Sequence, residues 1–442
     1  MADIAPLTPL RYDLARLPRG LASVVAPPYD VISPSQRAEL AAKDARNVVR
    51  LILPDGEGDA KYVEAARLFA QWRATGVFTR DCEPAFYRYD QSFLPPSREG
   101  KAITRRGFLA LVRLVPLSAG VVLPHERTLT GPKEDRLKLF RATQANLSPG
   151  FMLYRDARGE LDGPLGSAQP LAEFSTPDGV HHALAKVTAK DAIAAIMEGV
   201  ARSTLLIADG HHRYETAVRY AEEVGGGAND AQDRGEHRYF MAFLANGDDP
   251  NLLVFPTHRL VHSLPSFSFD TMLEGAETWF SVHRLPDGIG ASAALVSLKE
   301  AAKRGPSIAA AASDGRVAVF TLRADVDLAA HPKLGLRPEI LRRTDVAILH
   351  SAVLEELLSI TPEAQAAKTN LLYPQDATTS LADVRSGKGQ VLFLMNATPV
   401  ADVRRVAEGG EVMPQKSTFF YPKVLTGLAI HTLQPSRSVA SE

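Results

Sequence analysis

The pattern with the clearest chemistry is Asp209-Gly210-His211-His212-Arg213. The apolar residues 205–208 before it predict a buried strand, and an apolar stripe after it predicts a helix. A helix N-terminus has free N–H groups and a partial positive charge, so it suits an anion. Arg213 adds a planar set of donors, and Gly210 allows close approach of the backbone. The turn therefore predicts a phosphate cradle; alternatively, Asp209 caps the helix and the histidines are surface residues.

Metal binding at this turn is disfavoured, because adjacent histidines on one turn rarely share an ion and no partner has the i, i+4 spacing. A Walker loop is excluded, since its longer glycine and lysine pattern is absent.

A second cluster starts with His125-Glu126 and continues with Lys133 and Arg136 at the predicted start of a helix. His125 and Glu126 have the chemistry to bind a substrate or transfer a proton. Lys133 and Arg136 suit phosphate or carboxylate. The alternative is a solvated helix start with internal ion pairs. Asn146 and Ser148 are weaker candidates of the same kind.

Three shorter motifs are also candidates. Tyr29-Asp30 follows a double proline, and Asp30 suits a catalytic base, a metal ligand or a turn residue. His258-Arg259 and Lys416 each belong to a motif that places a cation beside a hydroxyl residue, which suits either phosphate contact or an ordinary structural role. The pair His181-His182 lies in a predicted strand and is expected at the surface.

These residues must be positioned by an ordinary globular chain. It has 442 residues, of which 45% are hydrophobic and 23% charged, and its net charge is −1. The charge balance gives no global case for a nucleic-acid or anionic-membrane partner. The lone Cys82 excludes an internal disulfide and fits a reducing compartment. No apolar run approaches membrane-spanning length, so we expect a cytoplasmic protein without membrane contact.

Strand and helix signals alternate along the chain, which predicts an α/β or α+β fold. Ser33 followed by Pro34 predicts a helix start. A longer helix is predicted over 59–73, with Tyr62, Ala65, Ala66, Phe69 and Trp72 on one face. Further helices are predicted over 269–279, 289–303 and 348–358.

Five motifs, in order along nearly the whole chain, resemble the domain-of-unknown-function family 1015 (DUF1015). They are Pro28-Tyr29-Asp30-Val31-Ile32, the block from His125-Glu126 to Pro132-Lys133-Glu134-Asp135-Arg136, Asp209-Gly210-His211-His212-Arg213-Tyr214-Glu215-Thr216-Ala217, Pro256-Thr257-His258-Arg259 and Pro414-Gln415-Lys416-Ser417-Thr418. The Asp209–Arg213 turn also resembles the phosphate-binding turn of the ParB/sulfiredoxin-like superfamily, which includes free-serine kinases. The resemblance implies a ParB/sulfiredoxin-like nucleotide-binding core over 1–245, with a large insertion around 80–200, and a second α+β domain over 246–442.

The resemblance also implies roles for individual residues. Gly210, His211, His212 and Arg213 would hold the phosphates of ATP or ADP, and Asp209 would orient the turn or help position Mg²⁺. Asp30 occupies the place of the kinases' catalytic glutamate with a shorter side chain. Sulfiredoxins have a catalytic cysteine where this chain has His211, which argues against sulfinic-acid reduction. The complete assignment is catalytic Asp30, Asp209, His211 and Glu126; cofactor-binding Gly210, His211, His212, Arg213, Thr216, Lys133 and Arg136; and substrate-binding Tyr29, His125, Glu126, His258, Arg259 and Lys416.

The function expected from this resemblance is phosphoryl transfer between a nucleotide and a small hydroxy-amino acid. The two activities expected are a free L-serine kinase, which makes phosphoserine, and a phosphoserine phosphatase, which consumes it. One alternative is a ParB-like nucleotide-dependent DNA-binding protein, which the near-neutral charge disfavours. Another is a sensor that binds a phosphorylated metabolite without turning it over.

Overall fold

The computed structural model describes residues 1–94, 100–128, 130–225 and 232–439. The chain divides into two compact units. Unit 1 comprises Met1–Pro124, Thr128–Leu253 and Pro422–Glu442, and unit 2 comprises His125–Arg127 and Val254–Tyr421. The sequence predicted one boundary near residue 245. The structure differs because residues 422–442 return to unit 1 and residues 125–127 belong to unit 2.

The strands and helices follow one another along both units. The strands are β1 (Ile4–Ala5), β2 (Leu10–Tyr12), β3 (Phe78–Arg80), β4 (Phe86–Phe93), β5 (Ile103–Arg113), β6 (Val122–Leu123), β7 (Ala145–Asn146), β8 (Gly150–Tyr154), β9 (Gln169–Ser175), β10 (His181–Val187), β11 (Leu205–Asp209), β12 (Tyr239–Asn246), β13 (Leu253–Phe255), β14 (Arg259–Val261), β15 (Phe280–Arg284), β16 (Ser307–Ala312), β17 (Val317–Leu322), β18 (Leu371–Leu372), β19 (Val391–Met395), β20 (Phe419–Tyr421) and β21 (His431–Thr432). The helices are α1 (Pro34–Lys43), α2 (Val49–Ile52), α3 (Ala60–Ala74), α4 (Thr130–Thr143), α5 (Asp162–Gly166), α6 (Lys190–Ala201), α7 (His211–Gly225), α8 (Phe269–Ala276), α9 (Ala291–Ala302), α10 (Glu339–Arg342), α11 (Asp345–Ile348), α12 (Pro362–Ala367), α13 (Ala377–Arg385) and α14 (Val400–Glu408). A π-helix, Leu349–Leu357, continues α11.

Unit 1 is built on a nine-stranded mixed sheet. Its strand order is β6-β11-β8-β12-β5-β4-β10-β9, and β1 pairs with β5. The β11–β6 and β12–β8 pairs are parallel, and the other pairs are antiparallel. Strands from residues 80–200 therefore lie in the same sheet as β11 and β12. Whether that segment is an insertion relative to other proteins stays a prediction.

Helix α7 is held on the sheet by part of the apolar stripe that the sequence predicted. Tyr214, Ala217 and Ala221 are buried, Val218 is half-buried and Val224 is exposed. Tyr214 and Ala217 are buried in the main core of unit 1 together with sheet residues such as Ile207 and Phe240. The Tyr214 hydroxyl donates to the Val115 carbonyl at 2.9 Å. This packing fixes the start of α7 at the end of β11.

The N-terminal part of unit 1 confirms two local predictions. Ser33 and Gln36 form a capping box at the start of α1, with Pro34 in its first turn. Helix α3 buries Tyr62, Ala65, Phe69 and Trp72 of the predicted face, whereas Ala66 is only half-buried. These elements form a separate apolar cluster.

Unit 2 contains a six-stranded sheet in the order β15-β17-β16-β19-β14-β18. Alternate residues of its central strands enter two different apolar clusters. In β16, Ile308 and Ala310 belong to the cluster with α8 and the π-helix, whereas Ala309 and Ala311 belong to the cluster with α9 and α13. A sheet covered on both faces explains why β16 is almost continuously apolar.

The predicted α/β (α+β) class is confirmed by the mixed sheets and their covering helices. The helices predicted over 269–279, 289–303 and 348–358 are present with shorter bounds. Within the described part of the chain, none of the helices is both long and apolar enough to cross a membrane.

Candidate functional site

The predicted strand–turn–helix is present. Strand β11 ends at Asp209 and α7 begins at His211. Gly210, between them, has a φ of +93°, which disfavours any residue with a side chain. A Cβ there would lie 2.9 Å from Nη2 of Arg213. Glycine is therefore needed both for the turn and for the position of the arginine.

Arg213 does not extend into solvent. Its side chain is buried, and Nη1 donates to the carbonyl oxygen of Pro149. Nη2 lies 3.7 Å from the Asp209 carboxylate. The guanidinium thus ties the start of α7 to the residue before β8 and places a positive charge inside the turn.

A small cavity brings together four motifs that are distant in the sequence. Its wall includes Tyr29, Arg136, Ser148 and Arg213, and its volume is about 20 Å³. The Arg136 guanidinium lies 4.1 Å from the centre of the Tyr29 ring, within cation–π range. A volume of this size holds about one water molecule. A larger ligand must therefore displace part of the wall.

Both arginines act electrostatically on Tyr29. Burial raises the pKa of the Tyr29 phenol to about 12, and neighbouring Asp30 adds to that rise, while Arg136 and Arg213 oppose it. Asp30 itself is exposed on the 3-10 turn Tyr29–Val31. The predicted catalytic carboxylate thus stands beside the cavity wall without being buried in it.

Arg136 is already partly engaged. Its Nη1 donates to the Ile52 carbonyl at 2.7 Å, and its Nε donates to the Asp135 carboxylate at 2.8 Å. Asp135 also accepts from the Tyr62 hydroxyl at 2.6 Å. These contacts fix the guanidinium against Tyr29.

Asp209 lies within a cationic cluster that the sequence did not reveal. Its Oδ2 is 3.3 Å from Nζ of Lys423, in the C-terminal segment of unit 1. Arg105, on β5, is completely buried and interacts electrostatically with Asp209. Burial lowers the pKa of Arg105 to about 10. The sequence did contain a signal for the buried Arg105. Adjacent residues of a strand face opposite sides of the sheet, so the pair Arg105-Arg106 on a strand indicates one inward-facing arginine.

The remaining residues predicted to bind the cofactor lie elsewhere on the same two helices. Lys133 and Thr216 line a separate cavity of about 470 Å³ with Glu215 and Arg219. Nζ of Lys133 is 2.9 Å from the Glu215 carboxylate. The Thr216 hydroxyl donates to the His212 carbonyl at 2.6 Å, within α7. The structure therefore does not place Lys133 and Thr216 in the small cavity with Arg136 and Arg213.

His211 and His212 lie in the first turn of α7. The side chain of His211 is buried, and that of His212 is partly exposed. Neither belongs to a group that can hold a metal ion among the described residues.

The predicted substrate residues, apart from Tyr29, lie in unit 2. The Glu126 carboxylate accepts hydrogen bonds from the backbone N–H groups of Lys416 (3.2 Å), Ser417 (2.9 Å) and Thr418 (3.2 Å). Lys416 has a φ of +59°, and this backbone turn directs the three donors at one carboxylate. Nε2 of the buried His125 lies 2.8 Å from the Thr418 hydroxyl. Glu126 is thus a structural anchor of the 416–418 turn in this conformation.

His258 and Arg259 are buried beside that turn. Nη2 of Arg259 donates to the Lys416 carbonyl at 3.0 Å and lies 3.3 Å from Nε2 of His350. Burial lowers the pKa of Arg259 to about 10 and that of His258 to about 4, to which Arg259 also contributes. His258 accepts at Nδ1 from the Met395 N–H at 3.1 Å.

The Mg²⁺ role that the resemblance implied for Asp209 does not fit these surroundings. The carboxylate is flanked by Lys423 and Arg213. Magnesium prefers oxygen ligands and usually keeps several bound waters. The two neighbouring cations would repel a bound Mg²⁺.

The prediction that His182 lies at the surface is wrong. Its ring is buried and stacks on the rings of Phe174 and Tyr89, with distances between ring centres of 4.9 Å and 5.8 Å. Nδ1 lies 2.7 Å from the Tyr89 hydroxyl, and Nε2 lies 2.9 Å from the Thr176 hydroxyl. β10 pairs with β4 and β9, and the Tyr89 and Phe174 rings on those two strands flank the His182 ring. Only His181 is exposed.

The fold and the turn together define a mixed α/β protein with a cationic strand–turn–helix. Residues 4–347 match the family model described as a protein of unknown function, DUF1015. The chain belongs to this family. None of the curated proteins compared with it matches.

Solved structures with some similarity cover 72% of this chain. They include a free serine kinase in complex with ADP (12% identity, TM-score 0.37, 90% of its chain), a conserved hypothetical protein from Pyrococcus furiosus (13%, 0.36, 93%) and C-terminally truncated SbnI from Staphylococcus aureus (10%, 0.34, 85%).

Proposed function

We propose that unit 1 binds phosphate groups at the start of α7 and transfers a phosphoryl group between a nucleotide, ATP or ADP, and a small hydroxy-amino acid. Free L-serine or O-phosphoserine is the proposed amino acid. One observation carries this proposal: Tyr29, Arg136 and Arg213, from three separate motifs, line the same cavity.

The physical support is the concentration of positive charge. Two buried guanidiniums face one phenol at the cavity, and α7 directs its N-terminus toward the Gly210 turn. Charge-assisted hydrogen bonds from arginine are the strong contacts to phosphate. A phosphoryl-transfer site needs this positioning and neutralisation more than it needs covalent chemistry.

Asp30 is the proposed base. In the synthetic direction it would take the proton of the serine hydroxyl as the oxygen–phosphorus bond forms and the bond from that phosphorus to the nucleotide oxygen breaks. Its exposure beside Tyr29 leaves it accessible to a substrate. Glu126 is the less suitable candidate, because its carboxylate already accepts three backbone hydrogen bonds.

The test is product formation. The purified full chain is incubated with L-serine and labelled ATP or ADP, and separately with O-phosphoserine. Arg213→Met is compared with Arg219→Met, which changes an exposed arginine of the same helix. We expect transfer by the wild type and Arg219→Met, and at least tenfold less by Arg213→Met. No phosphate movement by the wild type, or equal rates for Arg213→Met, would overturn the proposal. Tight calorimetric binding without product would instead indicate a sensor.

A further inference from the structure

Arg105 is a buried arginine with unused hydrogen-bonding capacity. It is 0% exposed. Its Nη2 donates to Oε1 of Gln91, its cross-strand partner. Among the described residues, Nε and Nη1 have no hydrogen-bond partner. Unsatisfied N–H groups on a buried cation cost free energy, and an anionic ligand that accepts from them would offset that cost.

The side chain extends from β5 toward the turn before α7. Its guanidinium carbon lies 5.3 Å from the centre of the Phe243 ring on β12 and 4.7 Å from the centre of the Phe151 ring on β8. Phe151 is the register partner of Asp209 on β11. The Arg105 guanidinium thus lies over β12 and β8, while its hydrogen bond to Gln91 is made on the β4 side.

Several cations surround the Asp209 carboxylate. Arg105 interacts with it electrostatically, and Arg213 and Lys423 lie within ion-pair distance of it. Nε2 of Gln91 donates to the backbone carbonyl of Lys423 at 3.0 Å, so the amide that accepts from Arg105 also holds the backbone of Lys423. The side chains of Asp209 and Lys423 are 16% and 17% exposed, so solvent reaches the cluster on their side.

We infer that Arg105 binds the carboxylate of a small phosphorylated acid whose phosphate lies at the start of α7. This inference rests on the proposed function and names a second anionic group for the same site. The phosphate has its own donors at the turn, and the α-carboxylate of an amino acid is the remaining anion that an inward-facing guanidinium can bind. The cost of burying Arg105 is then offset when the ligand is bound.

The experiment uses two ligands that differ only in this carboxylate. Calorimetry compares O-phospho-L-serine with O-phosphoethanolamine for the full chain and for Arg105→Met. We expect the wild type to bind phosphoserine at least tenfold more tightly. In Arg105→Met the two ligands should bind equally, with the affinity for phosphoethanolamine unchanged.

The matched control is Arg238→Met. Arg238 is buried in unit 1, but its Nε donates to Asp233 at 2.8 Å and its Nη2 to the Gly225 carbonyl at 3.1 Å. Without ligand, Arg105→Met should unfold at the wild-type temperature or above it. Arg238→Met should unfold at a lower temperature and keep the preference for phosphoserine.

Several outcomes would overturn the inference. Arg105→Met keeping the tenfold preference, or losing stability as Arg238→Met does, would make Arg105 a structural residue. Equal binding of both ligands by the wild type would reject the carboxylate contact and leave the phosphate site standing. Failure of the wild type to bind either ligand would reject the proposed function and the inference with it. If Arg105→Met does not fold, Gln91→Glu replaces it: an internal carboxylate against Arg105 should abolish the preference, and a retained preference would reject the inference.

Discussion

The Arg136 guanidinium lies 4.1 Å from the centre of the Tyr29 ring. This contact brings the N-terminal double-proline motif against the first half of α4. The contact positions one of the two buried arginines of the small cavity. Tyr29 is also the neighbour of Asp30, the proposed base. The ring therefore connects the charge that would hold a phosphate to the carboxylate that would accept a proton.

Replacing Tyr29 tests this connection. Tyr29→Phe keeps the ring, so we expect O-phosphoserine binding close to that of the wild type. Tyr29→Leu removes the cation–π contact, worth about 0.5–2 kcal/mol, and should weaken binding several-fold. Calorimetry measures both. Unchanged binding by Tyr29→Leu would show that the contact does not position Arg136 for a ligand.

Gly210→Ala should destabilise the turn through two separate effects. Backbone strain at positive φ costs about 1–2 kcal/mol, and the new Cβ meets the Arg213 guanidinium at 2.9 Å. We expect lower stability in urea unfolding and at least tenfold weaker phosphoserine binding.

Gly315 offers a matched control for that substitution. It has the same φ of +93°, but a Cβ there would meet nothing within 4 Å. Gly315→Ala should show the strain alone, with no change in affinity. Equal effects of the two substitutions on binding would remove the role assigned to the contact between Gly210 and Arg213.

Glu126→Gln tests whether Glu126 is an anchor or a catalytic residue. The amide keeps an acceptor but loses the charge that attracts the three N–H groups of 416–418. The expected loss of stability is roughly 1–3 kcal/mol, with faster hydrogen exchange at residues 416–418. Loss of transfer activity with unchanged exchange would instead support the catalytic role predicted from the sequence.

His182 should make the stability of unit 1 depend on pH. Burial lowers its pKa from 6.5 to about 4, so between those values the folded state binds fewer protons than the unfolded state. The free energy of unfolding therefore falls as the pH drops from 6.5 toward 4, by about 1.4 kcal/mol per unit.

The comparison variant is His182→Phe, which keeps an aromatic ring beside Phe174 and Tyr89. At pH 7 the wild type should be more stable, because the variant loses the contacts with Tyr89 and Thr176. At pH 5 that advantage should shrink by about 2 kcal/mol. Urea unfolding at the two pH values measures it, and an advantage that is constant with pH would contradict the assignment.

Short-range signals were the reliable ones. The Ser33-Pro34 start of α1, most of the buried face of α3 and the β11–Gly210–α7 turn were all predicted, because each depends on residues within a few positions of one another. His182 was misjudged because nothing near it in the sequence shows that β9 and β4 flank its strand. The roles assigned to individual site residues stay predictions.

By itself, the sequence determined that residue 210 must be a glycine turn between a buried strand and an amphipathic helix, since local propensity and spacing are enough to specify it. Only the tertiary structure decided which charges meet there. It placed Arg136 with Arg213, brought Arg105 and Lys423 to Asp209, and assigned Glu126 and Arg259 to unit 2. The reason is that burial and charge pairing follow from the order of strands in a sheet, and that order joins residues whose separation in the chain carries no local pattern.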